Sequence, residues 1–183
     1  VTAVKNIFGI ETEVPTAFDS IPVLNNQNAT FYYFGGDRGE TDIDDLWRLF
    51  EAGLKYAEDP SSPNRDIVSK YFDIVINRKG NGNSKVTMGL YWISPNSFLN
   101  LDSRNEWYIY ESGKVPEDIT SRLPKVEAKI PSKIYFEIVE KLREYLNSDL
   151  TELNDFKELS FEAWKYSTQV NQEKNPHLQT GVN

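Results

Sequence analysis

The chain has 183 residues, a mass of 21.1 kDa, no cysteine, one histidine and a formal net charge of −8. That size suits one domain, or one with a small appendage, and the 39% hydrophobic and 13% aromatic content is enough for a packed core. Disulfides, thiolate metal sites and a histidine-based triad or zinc site are excluded, because no cysteine is present and the lone His177 sits in the tail.

No apolar run approaches the ~20 residues that span a bilayer, and no signal peptide is visible. No membrane contact is therefore expected, and a cytoplasmic location is. The chain opens on Val1 rather than Met and stops in the polar run 175–183, which reads as a piece of a longer protein. Residues 1–40 are turn-rich and aromatic and read as an extended N-terminal segment. Within it, 25–28 is a polar loop and 29–34 a strand, stopped by Gly35 and Gly36. Its aromatic run suits a core strand better than a platform for stacked bases.

Thr41 starts a helix and stands in a capping-box relation to Asp44. Ile43, Leu46, Trp47, Phe50, Leu54 and Ala57 form its expected buried stripe. Asp42, Asp44 and Asp45 fit the positive end of a helix better than metal ligation. A linker turn over 59–63 leads to a second helix, with Pro63 in its first turn and Ile67, Val68, Tyr71, Phe72, Val75 and Ile76 at helical spacing. Gly80 and Gly82 break it, since glycine accepts positive φ cheaply. Asn83 or Ser84 caps the next helix, with Val86, Leu90 and Ile93 on one side and Pro95 ending it.

Periodicity leaves 106–110 open between extended and helical, and 112–114 is a break. The spacing predicts an amphipathic helix over 133–146, with Ile134, Ile138, Val139, Leu142 and Leu146 inward, and another over 161–172 with Trp164 docked on the body. The expected fold is mainly α, with α+β character at the N-terminus. The expected divisions are an extended segment 1–40, a helical domain 41–172 and a tail or linker 173–183.

Charge is unevenly spread. Residues 65–108 hold six basic and four acidic side chains, so the rest of the chain carries −10. A local basic island suits a short contact with DNA, whereas the acidic remainder does not suit a long one. No Gly-x-x-x-x-Gly-Lys-Ser/Thr loop is present to cradle a nucleotide.

The stretch 65–94 resembles a helix-hairpin-helix, the non-specific DNA-binding unit of DNA glycosylases, on its two helices and Gly80-Asn81-Gly82. The resemblance implies that backbone N–H groups around Gly80, Gly82, Asn83 and Ser84 hold a DNA phosphate at a helix N-terminus, aided by Lys79 and Lys85. In the glycosylases an aspartate follows in a Val/Leu-Asp-Ser/Thr motif, and here Leu101-Asp102-Ser103 stands 20 positions after Gly82. Asp102 is thus the one candidate catalytic carboxylate, while its simpler reading is a helix cap or a partner of Arg104. A third reading takes Ser103 and Arg104 to a phosphate. Ser84 stands where some members carry a catalytic lysine, which resembles the members without lyase chemistry, and Asn81 departs from the usual aliphatic residue.

A longer block, Thr87-Met88-Gly89-Leu90-Tyr91-Trp92-Ile93-Ser94-Pro95 and on to Asn105, resembles the region upstream of the AAA+ module in McrB-type (5-methylcytosine-specific) restriction GTPases and ATPases. The similarity runs from about 42 to 110, with a weaker echo to 145. It implies a non-catalytic DNA-binding or DNA-positioning region with weak, backbone-directed contact and a nuclease subunit as partner. It also implies no cofactor and no metal here, with GTP or ATP and Mg confined to an AAA+ module outside this chain. Two alternatives stay open: a monofunctional glycosylase-like enzyme using Asp102, and a protein–protein adaptor for an AAA+ ring or nuclease subunit. A loose likeness of Pro116-Glu117 and Glu127-Ala128-Lys129 to a restriction-nuclease signature is more simply an exposed charged strand before Pro131.

Overall fold

The computed structural model describes residues 2–14, 31–33 and 35–174. Among these residues the chain is mainly helical and contains no strand. The helices are α1 (Thr2–Phe8), α2 (Asp42–Glu58), α3 (Ser62–Asn77), α4 (Asn83–Ile93), α5 (Ser103–Tyr110), α6 (Glu117–Thr120), α7 (Ser132–Leu146) and α8 (Phe156–Lys174), with a short 3₁₀ turn at Gly35–Asp37. None of them is long and apolar enough to cross a membrane.

Local chemistry sets most of the boundaries. Pro63 stands in the first turn of α3, where its missing N–H is harmless. Pro95 follows the end of α4, and Gly113, at φ +71, turns the chain after α5. The start of α7 is capped from another helix: Asp73 of α3 accepts from the Ser132 backbone N–H at 2.6 Å and from its hydroxyl at 2.8 Å. Asp102 caps α5.

The core lies where α3 meets α2 and α7. Phe72 stacks on Tyr135 at 5.0 Å between centroids, and Tyr56 packs against Phe98 at 5.6 Å and Phe136 at 5.4 Å. Phe72, Tyr135, Phe136 and Phe98 are all fully buried, each contributing about 2–3 kcal/mol of transfer free energy. The Tyr135 hydroxyl is satisfied there, donating to the Leu99 carbonyl at 2.9 Å and accepting from its N–H at 3.0 Å. A second contact sets α8 against α5, with Tyr166 stacked on Trp107 at 5.6 Å.

Four expectations need correction. First, α2 buries Leu49, Ala52, Gly53 and Tyr56, while Trp47, Phe50 and Leu54 of the expected stripe are exposed. The cause is size. A Cβ on Gly53 would stand 3.2 Å from Leu90 Cδ2, so only the face with the small residues lets α2 close on α4. Second, Thr41 and Asp44 form no capping box: the Thr41 hydroxyl donates to Asp45 Oδ2 at 3.0 Å instead. Third, residues 2–8 are helical rather than extended, since Val4, Ile7 and Phe8 recur at helical spacing and Gly9, at φ +62, stops them. Of the expected strand at 29–34, residues 31 and 32 form bends and 33 is irregular, and the others lie outside the described residues, as does the 25–28 loop. Fourth, α8 begins at Phe156 rather than 161, and 125–131 contains no strand; the stretch 106–110, left open by its periodicity, is helical. Of the tail 173–183, residues 175–183 lie outside the described residues.

Candidate functional site

Five residues separate α3 from α4, and their geometry is tightly specified. Gly80 has φ +84, so its conformation favours glycine, and a Cβ there would lie 2.7 Å from Tyr33 Cε2 and push that exposed ring aside. Gly82 is different. Its φ of −175 is extended backbone that any residue adopts, and it serves as the N-cap position of α4. Asn81 is buried, and its side-chain amide donates to the Val75 carbonyl at 3.0 Å, so it caps the end of α3. Lys129 adds to this cap, reaching the Asn77 and Arg78 carbonyls at 3.3 and 3.4 Å.

Among the described residues neither Asn83 nor Ser84 caps α4, and Gly82 at the N-cap position offers no side chain to do so. Asn83 is the first helical residue and turns its side chain to the segment before α7. Its amide donates to the Glu127 carbonyl, and its oxygen accepts from the Ile130 N–H at 3.0 Å. One turn on, the Thr87 hydroxyl donates to the Asn83 carbonyl at 2.7 Å and accepts from the Leu101 N–H at 2.8 Å.

The start of α4 therefore opens onto a polar recess of about 450 Å³, lined by Gly80, Asn81, Gly82, Asn83, Ser84 and Lys85 on one side. Glu106, Val126, Glu127 and Ala128 line the other. Backbone N–H groups at a helix start favour an anion. Lys85 stands beside them and donates to the Gly80 carbonyl at 2.8 Å. Glu106 and Glu127 oppose an anion, and burial, followed by the nearby Glu111, pushes the Glu106 carboxyl up from its usual value.

Five of the expected phosphate-contacting residues, Gly80, Gly82, Asn83, Ser84 and Lys85, thus meet around one recess. Lys79, Ser103 and Arg104 do not line it. Lys79 lies 4.9 Å above the Tyr33 ring and 3.5 Å from Asp37 Oδ1, an exposed pair of little energetic weight. Ser103 and Arg104 are exposed at the start of α5. Asp102 is occupied in capping that helix: Oδ1 accepts from the Arg104 N–H at 3.1 Å and the Asn105 N–H at 2.9 Å, while Oδ2 accepts from the Asn100 amide at 3.2 Å.

Sequence reasoning missed two parts of the site. One is the wall at 126–128. The other is the anchor of the connector, where the Arg78 guanidinium pairs with Asp45 and stands 3.2 Å from Asp42 Oδ1, donating also to the Thr41 hydroxyl at 2.7 Å. Asp42 in turn accepts from the Gly39 N–H at 2.9 Å. Burial pushes the Asp45 carboxyl up, but hydrogen bonds from Arg78 and Thr41 and the charges of Arg78 and Arg48 outweigh it and hold the group below its usual value. Sequence separations of 33 to 37 residues give no local signal for such contacts. Among the described residues, no cluster of three or more His, Cys, Asp or Glu is arranged to hold a metal ion.

Residues 1–166 match the model of a family described as a domain of unknown function, DUF8425. The chain belongs to that family. No curated protein and no solved structure matches it.

Proposed function

We propose that this DUF8425 chain is a non-catalytic DNA-positioning region of a McrB-type restriction protein, in which α3, the connector and α4 act as a helix-hairpin-helix that holds one backbone phosphate. The observation that supports this most is the start of α4, whose N-cap position is held by Gly82 and which opens onto the Gly80–Lys85 recess. One phosphate in such a recess gives register without base reading. Glu106 and Glu127 at the same recess weaken the contact, and neutralising a phosphate makes it salt-sensitive. In this reading the protein works in the cytoplasm beside a nuclease subunit, and GTP or ATP with Mg belongs to an AAA+ module outside the chain.

Fluorescence anisotropy with short single- and double-stranded DNA at low and moderate salt tests it. Binding is expected to fall with salt at a log–log slope of about −1 per phosphate held. Lys85→Glu is expected to weaken it and Glu127→Gln to strengthen it, with circular dichroism confirming the fold of both. Absence of binding at low salt, or indifference to both substitutions, overturns the proposal.

A further inference from the structure

Among the described residues two apolar faces are exposed and do not meet. One is a groove between α2 and α4 of about 570 Å³, walled by Phe31, Tyr32, Trp47, Phe50, Trp92 and Ile93. Trp47 is 62% exposed, Trp92 46%, Leu54 40% and Phe50 39%. Along α2, Ile43, Trp47, Phe50, Leu54 and Ala57 alternate at spacings of four and three, the seam that receives another helix.

The other face belongs to α1. None of its residues is buried; Ile7 and Phe8 are both 75% exposed, Val4 is 52%, and Ile10, just beyond, is 46%. No α1 residue lines the groove. The helix is nonetheless a finished unit: Gly9 turns at φ +62, the Ile10 N–H donates to the Lys5 carbonyl at 3.0 Å, and Lys5 Nζ holds the Glu11 and Thr12 carbonyls. A seven-residue helix alone in water is marginal, so an apolar seat for Val4, Ile7 and Phe8 is what would stabilise it.

We infer that this chain forms a two-fold dimer in which α1 of each copy lies in the α2/α4 groove of the other. Area selects the reciprocal arrangement. Covering the eight exposed side chains named on the two faces removes roughly 800 Å² per contact, below what a stable interface needs, whereas two contacts reach roughly 1,600 Å², the standard size. The interface is isologous and closed, so it ends at two copies and builds no fibre. It uses neither the recess nor the connector, so it stands or falls apart from the DNA reading.

Sedimentation equilibrium of the whole chain across micromolar concentrations tests it, with thermal unfolding by circular dichroism as the fold control. The expected mass is twice 21.1 kDa. Phe8→Asp and Trp47→Asp, both at exposed positions, are each expected to weaken dimerisation at least about tenfold while leaving the helical spectrum unchanged. An equimolar mixture of the two variants is expected to recover partial association, because one intact α1 still meets one intact groove. A monomer at every concentration overturns the inference, including one in which Phe8→Asp shifts tryptophan emission and so reveals α1 seated in its own groove. A dimer indifferent to both substitutions overturns it equally.

Discussion

At the connector 78–82, side chains are held by directed bonds: Arg78 by the Asp45 carboxylate and the Thr41 hydroxyl, with the Asp42 charge beside it, and Asn81 by the Val75 carbonyl. On the outer face of α2, Trp47 touches Phe50 edge-on at 5.6 Å, and both rings stay exposed. The first region is mostly polar yet rigidly specified; the second is apolar yet unspent in folding. Directed bonds fix one geometry because a displaced donor loses its partner. Apolar area is non-directional, so a bulky stripe left outside the core remains available to another surface.

Arg78→Ala tests the polar side of this contrast most severely. It leaves the buried Asp42 without its cation and the buried Asp45 with only Arg48 at 3.9 Å, and about 3 kcal/mol of unfolding free energy is expected to be lost in urea titration. A loss below ~1 kcal/mol would show that water reaches the cluster freely. The same cluster predicts an acid limb. The folded Asp45 carboxyl lies below the ordinary 3.8, so its contribution is complete above that pH and disappears as pH falls through the folded value. The stability difference between wild type and Asp45→Asn should therefore shrink below about pH 4 and be flat at neutral pH.

Thr87→Val comes next. The substitution keeps the shape but leaves the buried Leu101 N–H without its acceptor, for an expected loss of about 2 kcal/mol. Amide exchange at Leu101 should quicken in step. Asp102→Ala removes the cap of α5 and is expected to lower stability by about 1 kcal/mol, measured by the same titration. Trp47→Ala is the smallest. In dilute monomer its effect should stay within about 0.5 kcal/mol, and a larger loss would place Trp47 inside the folding core and erase the contrast.

Much of the helical layout was legible from short-range signals. Periodicity placed a helix over 133–146, and the chain forms one over Ser132–Leu146. Pro63, Gly80 and Pro95 act within a turn of themselves and mark the ends of α3 and α4 where local reading puts them. The recess residues Gly80 to Lys85 are contiguous, so they could be named together before their surroundings were known. Asp102 as a cap was legible for the same reason, since its two N–H donors come from the next three residues.

What the tertiary structure decided lies beyond that range. α2 has two apolar faces, and hydrophobicity favours the bulky one; only contact with Leu90 shows that the face with Ala52 and Gly53 is the one that packs. Asn83 looks like a helix cap until the backbone at 127–130 arrives to take its side chain. Arg78 looks like a free cation until Thr41, Asp42 and Asp45 enclose it. Local rules act over about four residues. Which face closes and which charge is neutralised depends on volumes and partners brought together from 33 to 47 positions away, and those exist only once the chain has folded.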